Sequence, residues 1–238
     1  MNEKLQKFGV LEENVSLETL NTYRIKTSTK YLLHPKDEAD ILQFLNYAKE
    51  QNLEFFVLGN GSNVILSDTM YEGVILKLDR LKKIEYHENE VTVGAGVMIN
   101  FLARDIIEHG LSGLEWASGI PGTIGGSIYG NAEAYKVSTF EYLKSVRYIT
   151  LSGEVKTSFK KELSHAYRTT FFKEHPGCII LEAVFVFPEG KKDKSLAIIK
   201  ERLQRRLATQ PLEYPSAGSV FRNPTPLLPS GKVIDDLG

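Results

Sequence analysis

The chain has one cysteine, Cys178, among its 238 residues. A single thiol excludes an internal disulfide framework and a cysteine-rich metal site. The five histidines are scattered without the spacing that zinc ligands need, so we expect no metal site. Cys178 lies beside Ile179 and Ile180, and we interpret it as a small buried apolar residue of a strand.

Strong charge and long apolar runs are also absent. The formal net charge is −1, which gives no reason to expect nucleic acid or a membrane surface as the main partner. No apolar run approaches the length of a membrane span, and residues 1–7 lack the apolar segment of a secretory signal. With 42% hydrophobic and 25% charged residues, the composition is that of a globular protein, for which we expect a cytoplasmic location.

Helix and strand patterns alternate along the chain. Apolar residues at helical spacing predict helices over residues 37–51, 99–109 and 192–209. Short β-rich runs predict strands over residues 54–58, 64–66, 74–78 and 178–187, and hairpins that pair residues 81–86 with 90–95 and residues 146–151 with 154–159. Five prolines after residue 210 predict a loop-rich end. The chain is therefore predicted to be a mixed α+β protein, with a boundary in the polar segment 188–192.

Residues 118–132 contain five glycines and one proline among small and hydroxylated residues. We interpret this stretch as a loop, because so dense a run of glycine is not typical of a helix or strand interior. Glycine lets a ligand approach the backbone closely, and a row of N–H groups suits an anion such as a phosphate. Residues 59–63, with the sequence GNGSN, form a second segment of this kind. Two such loops predict a dinucleotide that is held from two sides.

Residues 59–63 begin like a Rossmann fingerprint but lack its third glycine. They also lead into the predicted strand 64–66, where a Rossmann loop must open a helix, so we reject a Rossmann site. A Walker A loop is excluded because Gly-Lys-Ser/Thr does not occur. Taken alone, residues 59–63 also fit a tight turn between strands, and the longer downstream segment favours a ligand.

Two further clusters carry reactive or charged side chains. Arg168 lies between aromatic and hydroxyl residues, where it suits a bidentate grip on a carboxylate; the alternative is a surface ion pair. Ser219 lies in a polar segment, 216–224, and no histidine near it in sequence supports a hydrolase triad. The basic residues of the predicted helix 192–209 are interpreted as a solvated face, with a minor role in attracting an anionic substrate as the alternative. Trp116 is interpreted as a packing residue.

Taken together and in order, these motifs closely resemble the UDP-N-acetylenolpyruvoylglucosamine reductase (MurB) family, flavoenzymes of bacterial peptidoglycan precursor synthesis. The matching segments are 21–25 (NTYRI), 58–63 (LGNGSN), 119–126 (GIPGTIGG), 130–132 (GNA), 167–168 (YR) and 217–224 (AGSVFRNP). The resemblance extends from about Leu17 to the end of the chain. The short span between Arg168 and Ser219 is similar to that of the more compact of the family's two subtypes.

The resemblance implies an α+β FAD-binding fold of the vanillyl-alcohol-oxidase (PCMH) type, with two subdomains and a substrate-binding domain. We expect an N-terminal segment over residues 1–26, the FAD-binding domain over 27–189 and a partial α+β substrate-binding domain over 190–238. The residues implied to hold FAD are Gly59, Asn60, Gly61, Ser62, Asn63, Gly119, Ile120, Pro121, Gly122, Thr123, Gly125 and Gly126, with Asn131 and Ala132 near the flavin.

The resemblance also implies a reaction. NADPH would reduce FAD, and the flavin would pass hydride to the enolpyruvyl double bond of a UDP-sugar, UDP-N-acetylglucosamine enolpyruvate, to give UDP-N-acetylmuramate. Arg168 would stabilise the enolate that forms, and Ser219 would supply the proton to its carbon. Tyr135, Arg168 and Asn223 are the implied substrate contacts.

One part of the family pattern does not match this sequence. The third catalytic residue of the family, a glutamate, falls beyond Gly238, and Asp235 and Asp236 lie too early in the pattern. We therefore expect FAD binding with crippled catalysis, and the alternative function is a catalytically impaired FAD-binding fragment. A flavin oxidoreductase of the same fold with another substrate is a third option, against which Arg168 and Ser219 together argue.

Overall fold

The computed structural model describes residues 2–67, 69–225 and 228–238. Met1 of the expected N-terminal segment and Pro226 of the predicted loop-rich end therefore lie outside the described residues. The first sheet has the strand order β1-β2-β4-β3, where β1 is Val10–Ser16, β2 Ser28–His34, β3 Phe55–Val57 and β4 Met70–Leu76. β1 pairs antiparallel with β2, whereas β2 and β3 run parallel to β4. Because β2 and β3 have the same direction, a crossover must join them, and helix α2 (Glu38–Glu50) supplies it.

The second sheet is antiparallel and has the order β10-β9-β13-β6-β5. Its strands are β5 (Ile84–His87), β6 (Glu90–Gly94), β9 (Leu143–Ile149), β10 (Val155–Phe159) and β13 (Ile179–Val186). Two short pairs lie apart from it, and they are formed by β7 (Glu133–Ala134) with β8 (Val137–Ser138) and by β11 (His165–Ala166) with β12 (Thr169–Thr170).

The remaining helices are α1 (Asn2–Leu5), α3 (Ile99–Glu108), α4 (Ile124–Gly130), α5 (Phe171–Glu174), α6 (Lys192–Thr209) and α7 (Ser230–Leu237). Helix α6 packs against α3 and against a 3-10 turn, Glu115–Ala117. Ser195 on α6 donates a hydrogen bond of 2.6 Å to Glu115, and Ile199 one turn later is buried. No helix in the described parts of the chain is both long and apolar enough to cross a bilayer.

Apolar side chains of both sheets form one continuous core cluster, which includes Phe44 of α2, Val74 of β4, Ile106 of α3 and Phe185 of β13. Strands β2 and β4 of the first sheet have buried side chains on both faces, whereas the edge strand β1 is largely exposed. Successive side chains of a strand alternate between faces, and Ile75 packs in a second, smaller cluster with Leu17, Leu32 and Leu58. Leu58 of this smaller cluster directly precedes residues 59–63, so its burial fixes the position at which that segment begins.

Most of the predicted elements are confirmed. The helices predicted over residues 37–51, 99–109 and 192–209 are α2, α3 and α6, and both predicted hairpins form. The strand predicted over residues 64–66 is wrong, because these residues pair with no strand and Ile65 is 66% exposed. The ordered strand is β4, which starts at Met70. Strands β1 and β2 were not predicted.

The loop predicted over residues 118–132 is partly wrong, since residues 124–130 form helix α4. The Thr123 side chain caps this helix by accepting a hydrogen bond of 3.2 Å from the Gly126 N–H. Ile124 and Ile128 are fully buried, and a cap together with a buried apolar face offsets the low helix propensity of glycine. The loop-rich end likewise contains one helix, α7.

Candidate functional site

A cleft of about 1660 Å³ is lined by both glycine-rich segments, by parts of both sheets and by residues 210–223. It brings together most of the residues that the sequence singled out. Of the predicted cofactor and substrate residues, all except Gly119 and Asn131 line this cleft.

Residues 59–63 are held in place by contacts from three other parts of the chain. The Asn60 side-chain amide donates a hydrogen bond of 2.8 Å to the Pro121 carbonyl, which joins the two glycine-rich segments. The Lys77 ammonium donates to the Gly59 carbonyl at 2.6 Å, and the Thr22 N–H donates to the Gly61 carbonyl at 3.1 Å. Gly61 has φ of 62°, and a Cβ there would lie 2.0 Å from the Leu20 carbonyl oxygen. This conformation therefore requires glycine at position 61.

The backbone donors of this segment are free. Among the described residues, no acceptor is hydrogen-bonded to the backbone N–H of Asn60, Gly61, Ser62 or Asn63. Backbone N–H groups are obligatory donors, so a run of unpaired ones at a cleft wall fits a ligand with several acceptor oxygens. A diphosphate has that chemistry.

The second glycine-rich segment is fastened to the second sheet through its own backbone. The N–H groups of Ile124 and Gly125 donate to the carbonyls of Val97 and Ala95, at 2.8 and 2.9 Å. The Gly122 carbonyl accepts from the Ile99 N–H at 2.9 Å. A Cβ on Gly125 would lie 3.1 Å from the Ala95 Cβ, so glycine serves close packing at this position.

Gly119 and Asn131 lie beside the cleft and have other contacts. The Gly119 carbonyl accepts a hydrogen bond from the guanidinium of Arg206 on α6. Asn131 has φ of 44° at the end of α4, is buried, and donates from its side chain to the Ala166 carbonyl at 2.9 Å. These contacts fasten the glycine-rich segment to α6 and to β11.

Arg168 is half-buried at the cleft wall, with φ of 60°. It forms no ion pair with any described carboxylate, so the alternative of a surface ion pair has no partner in the described residues. The Lys173 ammonium donates to the Arg168 carbonyl at 2.9 Å. Burial lowers the pKa of Lys173, and the charges of Arg222 and Arg168 lower it further. This part of the cleft is therefore electropositive and suits a carboxylate or a phosphate.

Ser219 lies across the same cleft on an exposed segment, and its hydroxyl has no partner among the described residues. Asn223 is anchored by its side-chain oxygen, which accepts from the Ser230 N–H at 3.1 Å. The Arg202 guanidinium lies 4.3 Å from the ring centroid of Tyr135, a cation–π distance. The predicted substrate residues thus share one cleft.

Sequence reasoning missed several basic residues of the site. Arg202 and Arg206 were assigned to a solvated face, yet both are half-buried and contact residues beside the cleft. Their spacing of four placed them on one side of α6, which was a usable signal. Lys77 was not considered, although a single lysine in the apolar run VILKL was also a signal.

The sequence-based interpretations of Trp116 and Cys178 can also be compared with the structure. Trp116 is only 3% exposed, as a packing residue should be, although it also reaches the cleft. Cys178 packs against the core directly before β13 but is only half-buried and lines the cleft, so its interpretation as a small buried residue of a strand is only partly right. Burial raises the pKa of its thiol, and the charge of Lys156 opposes that shift.

Comparisons with known proteins agree with this geometry. Residues 29–158 match the family described as FAD binding domain. UDP-N-acetylenolpyruvoylglucosamine reductase of Lactobacillus acidophilus is 37% identical over 221 residues, which cover 92% of this chain and 74% of that protein. The reductase of Clostridium novyi is 31% identical and is covered over 78% of its length.

Solved structures show the same relationship. The structure of UDP-N-acetylenolpyruvylglucosamine reductase (MurB) from Thermus caldophilus matches with a TM-score of 0.80 at 25% identity, covering 96% of this chain and 81% of that one. Glucooligosaccharide oxidase from Acremonium strictum, at 14% identity and a TM-score of 0.62, shares the fold over 79% of this chain and 42% of its own. The expected α+β, PCMH-type FAD-binding fold is confirmed, and the chain belongs to the UDP-N-acetylenolpyruvoylglucosamine reductase family.

Proposed function

We propose that this chain uses NADPH and FAD to reduce the enolpyruvyl group of UDP-N-acetylglucosamine enolpyruvate to UDP-N-acetylmuramate, as a cytoplasmic step of peptidoglycan precursor synthesis. One observation carries the proposal. Among the described residues, the N–H groups of residues 60–63, the Arg168 guanidinium and the Ser219 hydroxyl have no hydrogen-bond or ion-pair partner, and all of them line one cleft. The family membership supports the substrate, and NADPH follows from the family resemblance.

The cleft residues fit FAD. The unpaired N–H groups of residues 60–63 suit the diphosphate, and the absence of a side chain at Gly61 leaves the backbone in the conformation that exposes them. Residues 120–126 and Ala132 form the facing part of the wall. Bound FAD supplies hydride transfer, and the protein supplies binding, orientation and electrostatics.

Arg168 suits the substrate carboxylate. Addition of hydride to the enolpyruvyl double bond leaves negative charge spread over the carboxylate and its α-carbon. A guanidinium held at the cleft wall stabilises that charge as it develops. Its left-handed backbone costs about 1 kcal/mol or more, and such strain is typical of positions where side-chain placement matters.

Ser219 is the proposed proton donor to the α-carbon. A serine hydroxyl is a weak acid, but an enolate carbon is a strong base, so positioning is the main requirement. Tyr135 and Asn223 are the further proposed substrate contacts, each held by a partner from the C-terminal part of the chain, Arg202 and Ser230.

The domain division is part of the proposal, with residues 1–26 as N-terminal segment, 27–189 as FAD-binding domain and 190–238 as part of the substrate-binding domain. The second boundary lies between the end of β13 at Val186 and the start of α6 at Lys192. The Gly190 N–H donates to the Gly110 carbonyl at 2.8 Å, and helix α6 begins two residues later. The chain thus leaves the second sheet at this point.

The test is spectroscopic and uses the whole chain. We expect FAD-loaded protein to be bleached by NADPH and recoloured by the UDP-enolpyruvyl sugar. Ser219→Ala should be bleached normally but recoloured about 10²–10⁴ times more slowly, because only the second half-reaction needs the proton. Arg168→Lys should slow recolouring by about tenfold to a hundredfold and leave FAD bound. Ser152→Ala, in the exposed turn between β9 and β10, is the matched control.

The outcomes separate the candidate functions. Equal recolouring rates in wild type and Ser219→Ala would contradict the role of Ser219. A wild-type chain that is bleached by NADPH but not recoloured by the sugar would instead support the alternative function, an FAD-binding fragment with impaired catalysis.

A further inference from the structure

Lys77 follows strand β4 and is only 8% exposed. Lysine is almost never buried unless its charge is paired. No described carboxylate forms an ion pair with Lys77, and among the described residues its ammonium makes one hydrogen bond, the 2.6 Å contact with the Gly59 carbonyl. Burial of an ammonium with one carbonyl as its acceptor lowers the stability of the fold, so we expect it to have a functional role.

The nearest negative group does not neutralise this charge. Asp79 attracts Lys77 electrostatically, but its carboxylate is hydrogen-bonded to the His34 ring at 2.8 Å. Burial lowers the pKa of Lys77, and Asp79 opposes that shift only in part. An ammonium has three donors, of which the described chain uses one. Two N–H groups of the Lys77 ammonium therefore have no acceptor among the described residues.

The contact with Gly59 has a consequence for the next residue. The peptide group between Gly59 and Asn60 is planar and trans, so its C=O and N–H point in opposite directions. By holding the Gly59 carbonyl, Lys77 directs the Asn60 N–H away from itself. That N–H is the first of the unpaired donors of the segment. Lys77 also lines the 1660 Å³ cleft and a second cavity of about 430 Å³ that shares Asn60 and Thr123 with it.

We propose that Lys77 is a positioning residue for the diphosphate of FAD: it fixes the Gly59–Asn60 peptide so that the free N–H groups meet the diphosphate, and its charge attracts that anion. This inference rests on the proposed function, in which the cleft binds FAD. The role belongs to a buried side chain outside the two glycine-rich segments, so the glycine pattern of the sequence does not reveal it.

Lys77→Met tests the inference, since methionine keeps the aliphatic stem and removes the charge. We expect FAD to bind about tenfold to a hundredfold more weakly, as for loss of a charge-assisted interaction. The slope of log Kd against log salt concentration should also decrease, because one cation fewer lies near the bound diphosphate. The apo form should be as stable as wild type or more stable, since an unpaired buried charge is removed.

Lys30→Met is the matched control. Lys30 lies on the neighbouring strand β2, its side chain is 47% exposed, and it pairs with Glu72 at 3.1 Å. Its replacement removes the same charge from the same sheet and should change the Kd for FAD less than twofold.

Two results would overturn the inference while leaving the proposed function intact. One is a Lys77→Met chain that binds FAD as tightly as wild type. The other is a variant whose apo form is clearly less stable while the salt dependence of FAD binding is unchanged, which indicates a purely structural lysine. A wild-type chain that takes up no FAD would overturn the proposed function, and the inference with it.

Discussion

The two glycine-rich segments of the cleft differ in what their backbone donors do. In residues 60–63 the N–H groups have no acceptor among the described residues, and side chains from other elements hold the segment in place. In residues 124–126 the N–H groups are hydrogen-bonded to Val97, Ala95 and the Thr123 side chain. One segment is therefore open to a ligand, and the other is largely part of the scaffold.

This difference shows that glycine density alone does not identify a binding loop. Gly61 is needed for a left-handed backbone, whereas Gly125 is needed because helix α4 packs closely against Ala95. The backbone N–H groups around Gly61 have no acceptor among the described residues, whereas those around Gly125 are hydrogen-bonded within the protein. Substitutions at the two segments should therefore have different effects on stability and on FAD binding.

The largest effect is expected for Gly61→Ala. The new Cβ would lie 2.0 Å from the Leu20 carbonyl oxygen, in a backbone conformation that alanine disfavours. We expect a loss of about 2–4 kcal/mol in the free energy of unfolding and loss of FAD binding. Urea unfolding and flavin titration measure the two. Gly130→Ala is the control, since its Cβ would meet nothing within 4 Å and it ends a helix; an equal loss there would contradict the comparison.

Thr123→Ala should have a smaller effect, confined to the scaffold segment. It removes the side-chain acceptor for the Gly126 N–H and should cost about 1 kcal/mol of stability. FAD binding should weaken much less than in Gly61→Ala. Thr123→Ser keeps the acceptor and should restore the free energy of unfolding measured by urea; no recovery would show that the methyl group matters instead.

A pH-dependent effect is expected behind residues 59–63, at Asp79. Burial acts to raise the pKa of Asp79, but the hydrogen bond and charge of His34, with the charges of Lys77 and Lys82, outweigh it, and the pKa lies below the ordinary 3.8. A lowered carboxyl pKa stabilises the folded state above about pH 4, and this contribution is lost as the pH falls through the folded-state value.

Asp79→Asn should therefore lose less than about 1 kcal/mol at neutral pH, because the group is partly exposed. Its difference from wild type should shrink as the pH falls below 4, which urea unfolding between pH 3 and 7 would show. Ser152→Ala, in the exposed turn between β9 and β10, removes no titratable group and should show no pH-dependent difference from wild type.

The smallest effect concerns Cys178, which reports on the cleft without disturbing it. Its raised pKa means less thiolate at neutral pH, so alkylation should be slower than for a free thiol and should accelerate as the pH rises. Because Cys178 lines the cleft, bound FAD should slow the reaction further. Rates that do not respond to FAD would place the cofactor away from this wall.

The sequence alone predicted the long elements and the turn conformation of residues 59–63. Helices α2, α3 and α6 have clear apolar periodicity, and the GNGSN segment has the turn residues that its conformation needs. The sequence did not reveal α4, because its stability comes from burial of Ile124 and Ile128 rather than from propensity. It did not reveal Lys77 as a site residue, since only the three-dimensional packing places its ammonium under the Gly59 carbonyl.

The hydrogen bond from Asn60 to Pro121 joins positions 61 residues apart in the chain. The first sheet forms from contacts closer in sequence, whereas the pairing of β6 with β13 in the second sheet joins residues further apart, such as Glu90 and Val186. Contacts of large sequence separation form late because their loop-closure entropy must first be overcome. Cofactor uptake during refolding should therefore lag behind formation of the helices and the first sheet, so that the colour of bound flavin reports when the two glycine-rich segments have met.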